Sequence, residues 1–305
     1  MRDQALGLRR LAAAEIPASR IDTLLLEERM EKRGTGCVTV AVTSGKGGVG
    51  KTNFSINLAL LLAKAGKKVI LFDADLGLAN VNILFGINPR YTLLDVVEGR
   101  IPLEEVLVSG PCGLSIVPAG SGMEKMANLD SVTLLTLMKD LARLEQACDY
   151  LIFDTGAGIS RTVRAFVSAA QKQIVVVTPE PSSLADAYAT IKLIVGTGGR
   201  DIHIVSNMVK SDREGEEVFR KIALLTRRFL RRSPFWLGAL PLDKSVGLAV
   251  LRQSPVALSE PNSPFARALS RIVLRLTGAV SESKPGFFDR FVKIFRQDND
   301  HGQPL

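Results

Sequence analysis

The chain has 305 residues, 46% of them hydrophobic, and a formal net charge of +8 from 39 Lys+Arg against 31 Asp+Glu. That is enough for a sizeable core in one large or two small domains, and the charge fits an anionic partner: nucleotide, nucleic acid or acidic lipid. Three cysteines, none close to another in sequence, argue against a disulfide framework, and no run approaches 18 uncharged apolar residues, so no membrane span is expected.

In chain order, MRDQALGLRR lacks an apolar signal core, so no secretory leader is expected. Residues 1–35 are charged and Ala/Leu-rich, and read as a helical or disordered extension. From Cys37 onward, apolar β-branched runs alternate with helical patterns. Strands are predicted at 37–43, 68–74, 113–119, 149–155, 173–178, 201–207 and 236–241, and helices at 53–66, 131–147, 182–195, 213–230 and 264–278. The alternation predicts an α/β fold: a doubly wound, mostly parallel sheet flanked by helices, its apolar strands covered on both faces. This domain is expected to span 36–278, with a linker at 279–286, an amphipathic helix at 287–297 and a polar tail at 298–305.

GKGGVGKT (45–52) fits G-x-x-x-x-G-K-[ST] between a predicted strand and a predicted helix, the context of a phosphate-binding loop. Gly45, Gly47, Gly48 and Gly50 let backbone N–H groups approach an anion at a helix N-terminus. Lys46, Val49 and Asn53 complete the stretch. Lys51 is placed to reach the β- and γ-phosphates of ATP, and the Thr52 hydroxyl to ligate Mg²⁺. Two further strands end in carboxylates: Asp73 and Asp75 in LFDADLGLAN, and Asp154 in LIFDTGAG. Parallel strands bring these ends to one edge, where Asp73 and Asp154 are expected at the metal. A turn or helix-cap role is the alternative for Asp73.

Lys46-Gly47-Gly48-Val49-Gly50-Lys51-Thr52 resembles the K-G-G-x-x-K-[ST] pattern of the deviant Walker A ATPases, the MinD/ParA family, over roughly residues 37–278. The resemblance implies an ATPase of slow turnover that forms a homodimer around ATP. Lys46 would act across the dimer and Lys51 within its own protomer. Asp75 would orient the attacking water, and Asp154 would lie near Mg²⁺ in the second switch. Asn207 would read adenine, with Pro241, Leu242 and Asp243 completing that pocket and ATP or ADP as the ligand. Iron-sulfur relatives use a cysteine pair in a loop that Cys148 precedes, so Cys37, Cys112 and Cys148 read as buried or incidental thiols.

At 100° per residue, Phe287, Phe288, Phe291, Val292, Ile294 and Phe295 fall within about 160° of arc. Asp289, Arg290, Lys293 and Arg296 take the other side. Phenylalanines opposite basic residues suit an interfacial helix on anionic membrane lipid, folding on contact. Packing on its own domain, or on a dimer partner, is the alternative. The MinD branch carries such a helix, which implies a cytoplasmic protein peripherally membrane-associated with ATP. RRFLRR (227–232) could serve DNA binding, as in ParA-type partition ATPases, but reads better as a helix C-terminus.

The leader contains Asp3-Gln4-Ala5-Leu6-Gly7-Leu8-Arg9, which resembles the DQAxxLR motif of the flagellar FlhG branch. Asp3, Gln4, Ala5, Leu8 and Arg9 would then engage the FlhF GTPase, a chance match in a disordered leader being the alternative. The branch further implies flagellar C-ring proteins of the FliM/FliN type as partners, and in some relatives a flagellar transcription activator. A ParA-like partition ATPase and a MinD-type positioning adaptor remain the competing functions.

Overall fold

The computed structural model describes residues 36–75, 80–120, 130–158, 160–199, 201–278, 286–288 and 290–292. The chain divides into two compact units, Met1–Gly34 and Thr35–Leu305, and the described residues belong to the second. Asp3, Gln4, Ala5, Leu8 and Arg9 therefore lie outside them, as do Lys293, Ile294, Phe295 and Arg296.

Eight strands form one sheet: β1 (Val38–Thr43), β2 (Val69–Ala74), β3 (Val108–Ser109), β4 (Ser115–Val117), β5 (Tyr150–Thr155), β6 (Lys172–Val177), β7 (Ile202–Val209) and β8 (Phe235–Pro241). Their order is β3-β4-β2-β5-β1-β6-β7-β8, and every pairing except β3–β4 is parallel. The helices are α1 (Lys51–Lys64), α2 (Asn80–Phe85), α3 (Leu93–Val97), α4 (Ser131–Ala147), α5 (Arg161–Ala169), α6 (Pro181–Gly196), α7 (Asp212–Leu225), α8 (Lys244–Leu251), α9 (Val256–Ser259) and α10 (Pro264–Gly278).

β2, β5 and β6 are buried at every position, as a parallel sheet covered on both faces requires. Side chains alternate between the faces. Val40, Val42, Leu71 and Ile152 join Phe54 and Leu58 of α1 and Phe265 and Leu269 of α10 in one core. Phe72 and Phe153 point the other way and meet Phe166 of α5, with ring centroids 5.2–5.6 Å apart. β1 lies between β5 and β6, so the crevice at its carboxyl end is the switch point where α/β sheets bind ligands.

Local chemistry sets several boundaries. Asp130 caps α4 by accepting the amides of Val132 and Thr133, and Ser211 caps α7 through Glu214. The strand expected at 113–119 shrinks to β4, because Gly113 occupies a left-handed turn (φ 77°) and Pro118 has no N–H for a ladder. The helix expected to 230 leaves α-geometry at Thr226–Leu230, a π-helical turn closed by Arg231 at φ 52°.

Candidate nucleotide site and terminal-helix groove

The phosphate loop joins β1 to α1. Gly50 caps α1 in the left-handed region (φ 84°), and a Cβ there would strike the Asn207 amide. Asn207 Nδ2 donates to the Val49 carbonyl at 2.7 Å, which fastens the end of β7 to the loop. At the loop's start, a Cβ on Gly45 would strike the Asp186 backbone of α6. Glycine is thus required at both ends of the loop, once for conformation and once for close approach.

Lys51 is buried, 4.0 Å from Asp154 Oδ1 at the end of β5. Ser55 Oγ donates to the same oxygen at 2.8 Å, and the Thr52 hydroxyl stands beside this carboxylate. Asp154 Oδ2 has no hydrogen-bond partner among the described residues. Burial pushes the Asp154 carboxyl up; Lys51, Thr52 and Ser55 pull against that shift, and burial wins. A buried carboxylate oxygen beside a threonine hydroxyl and a lysine, facing a glycine loop, fits a phosphate-bound Mg²⁺.

Asp73 has a different environment. Its carboxylate accepts the amides of Asp75 at 3.2 Å and Val81 at 3.3 Å, and burial followed by the nearby Asp154 pushes it well above the usual range. These bonds shape the turn after β2, where Asp73 pairs in register with Asp154. Asp75 reaches the turn after β5: its Oδ1 is 3.1 Å from where a Cβ on Gly156 would stand. At the far end, Asp243 caps α8 through the Ser245 amide (2.9 Å) and also holds the Phe265 amide of α10 (3.0 Å). Of the expected adenine-side trio, Pro241 ends β8, Leu242 is exposed, and the Asp243 carboxylate is a structural tie.

Lys46 points away from Lys51. Its Nζ donates to Glu180 Oε2 at 2.6 Å and to Ser182 Oγ at 3.1 Å, both at the start of α6. Loop residues Gly47 and Gly48 are exposed, and Thr52 and Asn53 are half-buried at the start of α1. Ser55 was legible in principle, because it lies three residues after Thr52 on the same helical face. Glu180 was not, since no local pattern joins residues 134 positions apart.

The terminal segment is helical over 287–288 and 290–292, and it packs on the domain. Phe287, Phe288 and Phe291 are 0%, 4% and 2% exposed. Phe287 stacks on Phe153 at 4.8 Å and so extends the Phe72–Phe153–Phe166 cluster. Its N–H donates to Glu145 Oε2 of α4 at 2.8 Å. Arg290 donates from Nε to the Ala169 carbonyl (2.6 Å) and from Nη2 to Thr39 Oγ1 (2.8 Å). The phenylalanines expected to face lipid thus face their own domain here, with Val292 half-buried beside them.

A glycine loop on the central strand, a buried lysine at its end and a strand-end aspartate define a P-loop NTPase. The family described as ParA, NUBPL iron-transfer P-loop NTPase, matches residues 37–277, and the chain belongs to this MinD/ParA family. Antiactivator FleN of Pseudomonas aeruginosa is 43% identical over 256 residues, 83% of this chain and 91% of that protein. Flagellum site-determining protein YlxH of Helicobacter pylori is 34% identical, over 83% and 89%. The MinC:MinD cell division protein complex of Aquifex aeolicus contains a similar fold: TM-score 0.67, 30% identity, 82% of this chain and 99% of that one.

Proposed function

We propose that the protein is an ATP-hydrolysing switch that regulates flagellar number and placement, alternating between a monomer with a seated terminal helix and an ATP-bound dimer on the membrane. The buried phenylalanine face of the terminal helix carries this reading. Among the described residues no helix is long and apolar enough to cross a membrane, so a bilayer contact falls to an amphipathic segment. The seat is finely balanced. Burying three phenylalanines is worth roughly 5–9 kcal/mol. Ordering the six described residues 286–288 and 290–292 costs roughly 6–12 kcal/mol in backbone entropy, and hydrogen bonds supply most of the difference. A contact so near balance is released by a modest competing gain.

In this reading ATP lies along the loop. Lys51 and the amides of 45–52 hold its phosphates, Thr52 and Asp154 hold Mg²⁺, and Asn207 and Pro241 flank adenine. Lys46 leaves Glu180 and contacts phosphate across the dimer; the pair it gives up is a half-exposed one, worth about 0–1 kcal/mol. Asp75 orients the water, and hydrolysis returns the monomer. The names of the FleN and YlxH relatives support the flagellar role. The N-terminal motif would engage the FlhF GTPase, and C-ring proteins of the FliM/FliN type would receive the switch. An antiactivator relative also favours a transcription activator as a target.

The test is sedimentation with anionic liposomes under ATP and ADP, with and without residues 284–305. ATP-dependent binding that vanishes on deletion is expected; binding that survives deletion overturns the membrane role. One observation favours a second reading, a DNA-coating partition ATPase: Arg227, Arg228, Arg231 and Arg232 are exposed around Phe229, without ion pairs among the described residues. Salt-sensitive retention on nonspecific DNA, with no liposome binding, selects it.

A further inference from the structure

Cys37 precedes β1 and Cys148 follows α4, yet their Sγ atoms stand 3.4 Å apart. Both are free thiols and both are buried, whereas Cys112 is exposed. Spacing in sequence, 111 residues, hid the pair. It lies at the opposite end of β1 from the phosphate loop, so nucleotide chemistry has no use for it.

Two connections tie the pair to the terminal helix. Cys37 and Thr39 share one face of the first strand, and Thr39 Oγ1 accepts from Arg290. Glu145 lies one helical turn before Cys148 and accepts the Phe287 amide. The seated segment is thus anchored on the same strand face and the same helix end that carry the thiols. Glu145 also adds to the field that keeps Cys37 protonated. The Cys148 hydrogen bond, then burial, push the Cys37 thiol far above its ordinary value, and a thiol that keeps its proton is not a nucleophile.

We propose that Cys37 and Cys148 are an oxidisable dithiol guarded by the terminal helix, closing to an intrachain disulfide when the helix leaves and staying reduced while it is seated. This rests on the reading that the helix can leave. The oxidant is a small-molecule disulfide of the glutathione type. Cys148, the less deeply buried at 9% exposure against 3%, loses its proton and attacks one reagent sulfur. The reagent's S–S bond breaks, and the departing thiolate takes up a proton. Cys37 then attacks Cys148 Sγ, forming the Cys37–Cys148 bond and expelling the second thiol with the second proton. Two cysteines lose two electrons and one reagent disulfide gains them. Closing the gap from 3.4 Å to about 2.05 Å asks the two sulfurs to move toward each other, which opening of the groove permits.

The experiment uses full-length protein carrying Cys112→Ser, so that the exposed thiol does not react. It is incubated with oxidised glutathione, quenched with N-ethylmaleimide and read by intact mass. A disulfide shows as the loss of two hydrogens and of both maleimide additions. Adding Phe291→Asp puts a charge in the groove and unseats the helix. Arg290→Ala, which removes the hydrogen bonds to Ala169 and Thr39, is the milder variant if the first does not fold. The intrachain disulfide is expected at least about tenfold faster in the unseated protein, as for a site reached by local opening. Equal rates, or a glutathione adduct that never resolves into an intrachain bond, overturn the proposal. Mg-ATP added to the Cys112→Ser parent separates the two readings. Acceleration in the variants but none by ATP supports the guarded dithiol and overturns ATP-driven release.

Discussion

Lys46 and Lys51 are five residues apart and have opposite neighbourhoods, one half-exposed on Glu180 and one buried near Asp154. Lys51→Ala should weaken ATP binding by about 100-fold or more, the loss expected when a buried cation facing phosphate is removed, as measured by fluorescent-nucleotide titration. Lys46→Ala should leave that affinity within about threefold, because its surface ion pair is weak, while abolishing the ATP dimer in sedimentation velocity. A second residue-scale expectation concerns Asp201, which bonds His203 at 2.8 Å and Lys172 at 3.2 Å. Burial pushes its carboxyl up, but His203 and Lys172 prevail and hold it well below the usual range. A depressed acid stabilises the fold above its unfolded pKa of about 3.9, and that contribution is lost as pH falls through the lower folded value. Asp201→Asn should therefore lower Tm at pH 7 by roughly 2–6 °C, for about 1–2 kcal/mol. The gap to the parent should close as pH falls below about 4. A gap that stays constant down to pH 2.5 would contradict the ion-pair origin.

Elements were legible in proportion to how far their pattern was local. The phosphate loop lies within eight consecutive residues, and β1, β2, β5 and β6 are apolar runs that only a doubly covered sheet accommodates. α5 was missed, because RTVRAFVSA is short and its arginines interrupt the apolar rhythm. The terminal helix shows a different limit. Its amphipathic period says that something apolar covers Phe287, Phe288 and Phe291, but the same period suits a bilayer and a groove lined by Phe153. Only the folded chain supplies the groove. Glu145→Ala removes the anchor for the Phe287 amide and leaves every residue of the lipid-facing set intact. It should raise liposome binding without ATP by about tenfold or more, matching the loss of a charge-assisted hydrogen bond worth about 1.5–3 kcal/mol. Unchanged binding in ADP would show that this hydrogen bond does not hold the helix.

For the whole molecule, the decisive quantity is its assembly state in each nucleotide. Size-exclusion chromatography should give a monomer with ADP and a dimer with ATP. Asp75→Ala should hold the dimer for longer by slowing hydrolysis, and a monomeric Asp75→Ala protein under ATP would remove that aspartate from the proposed chemistry. The net charge of +8 suits either an anionic bilayer or DNA, so charge alone never chose between them. On the proposed switch the docked aromatic face favours the bilayer, because DNA would give three buried phenylalanines no reason to be uncovered. The alternation of β5 adds a further consequence. Asp154 faces Lys51 of the phosphate loop while its neighbour Phe153 faces the opposite side of the sheet, where Phe287 stacks upon it. One peptide unit thus separates the groove from the nucleotide-loop side. Any sliding of this strand that repositions the carboxylate must carry the ring with it, so the strand itself is the lever arm, one residue long.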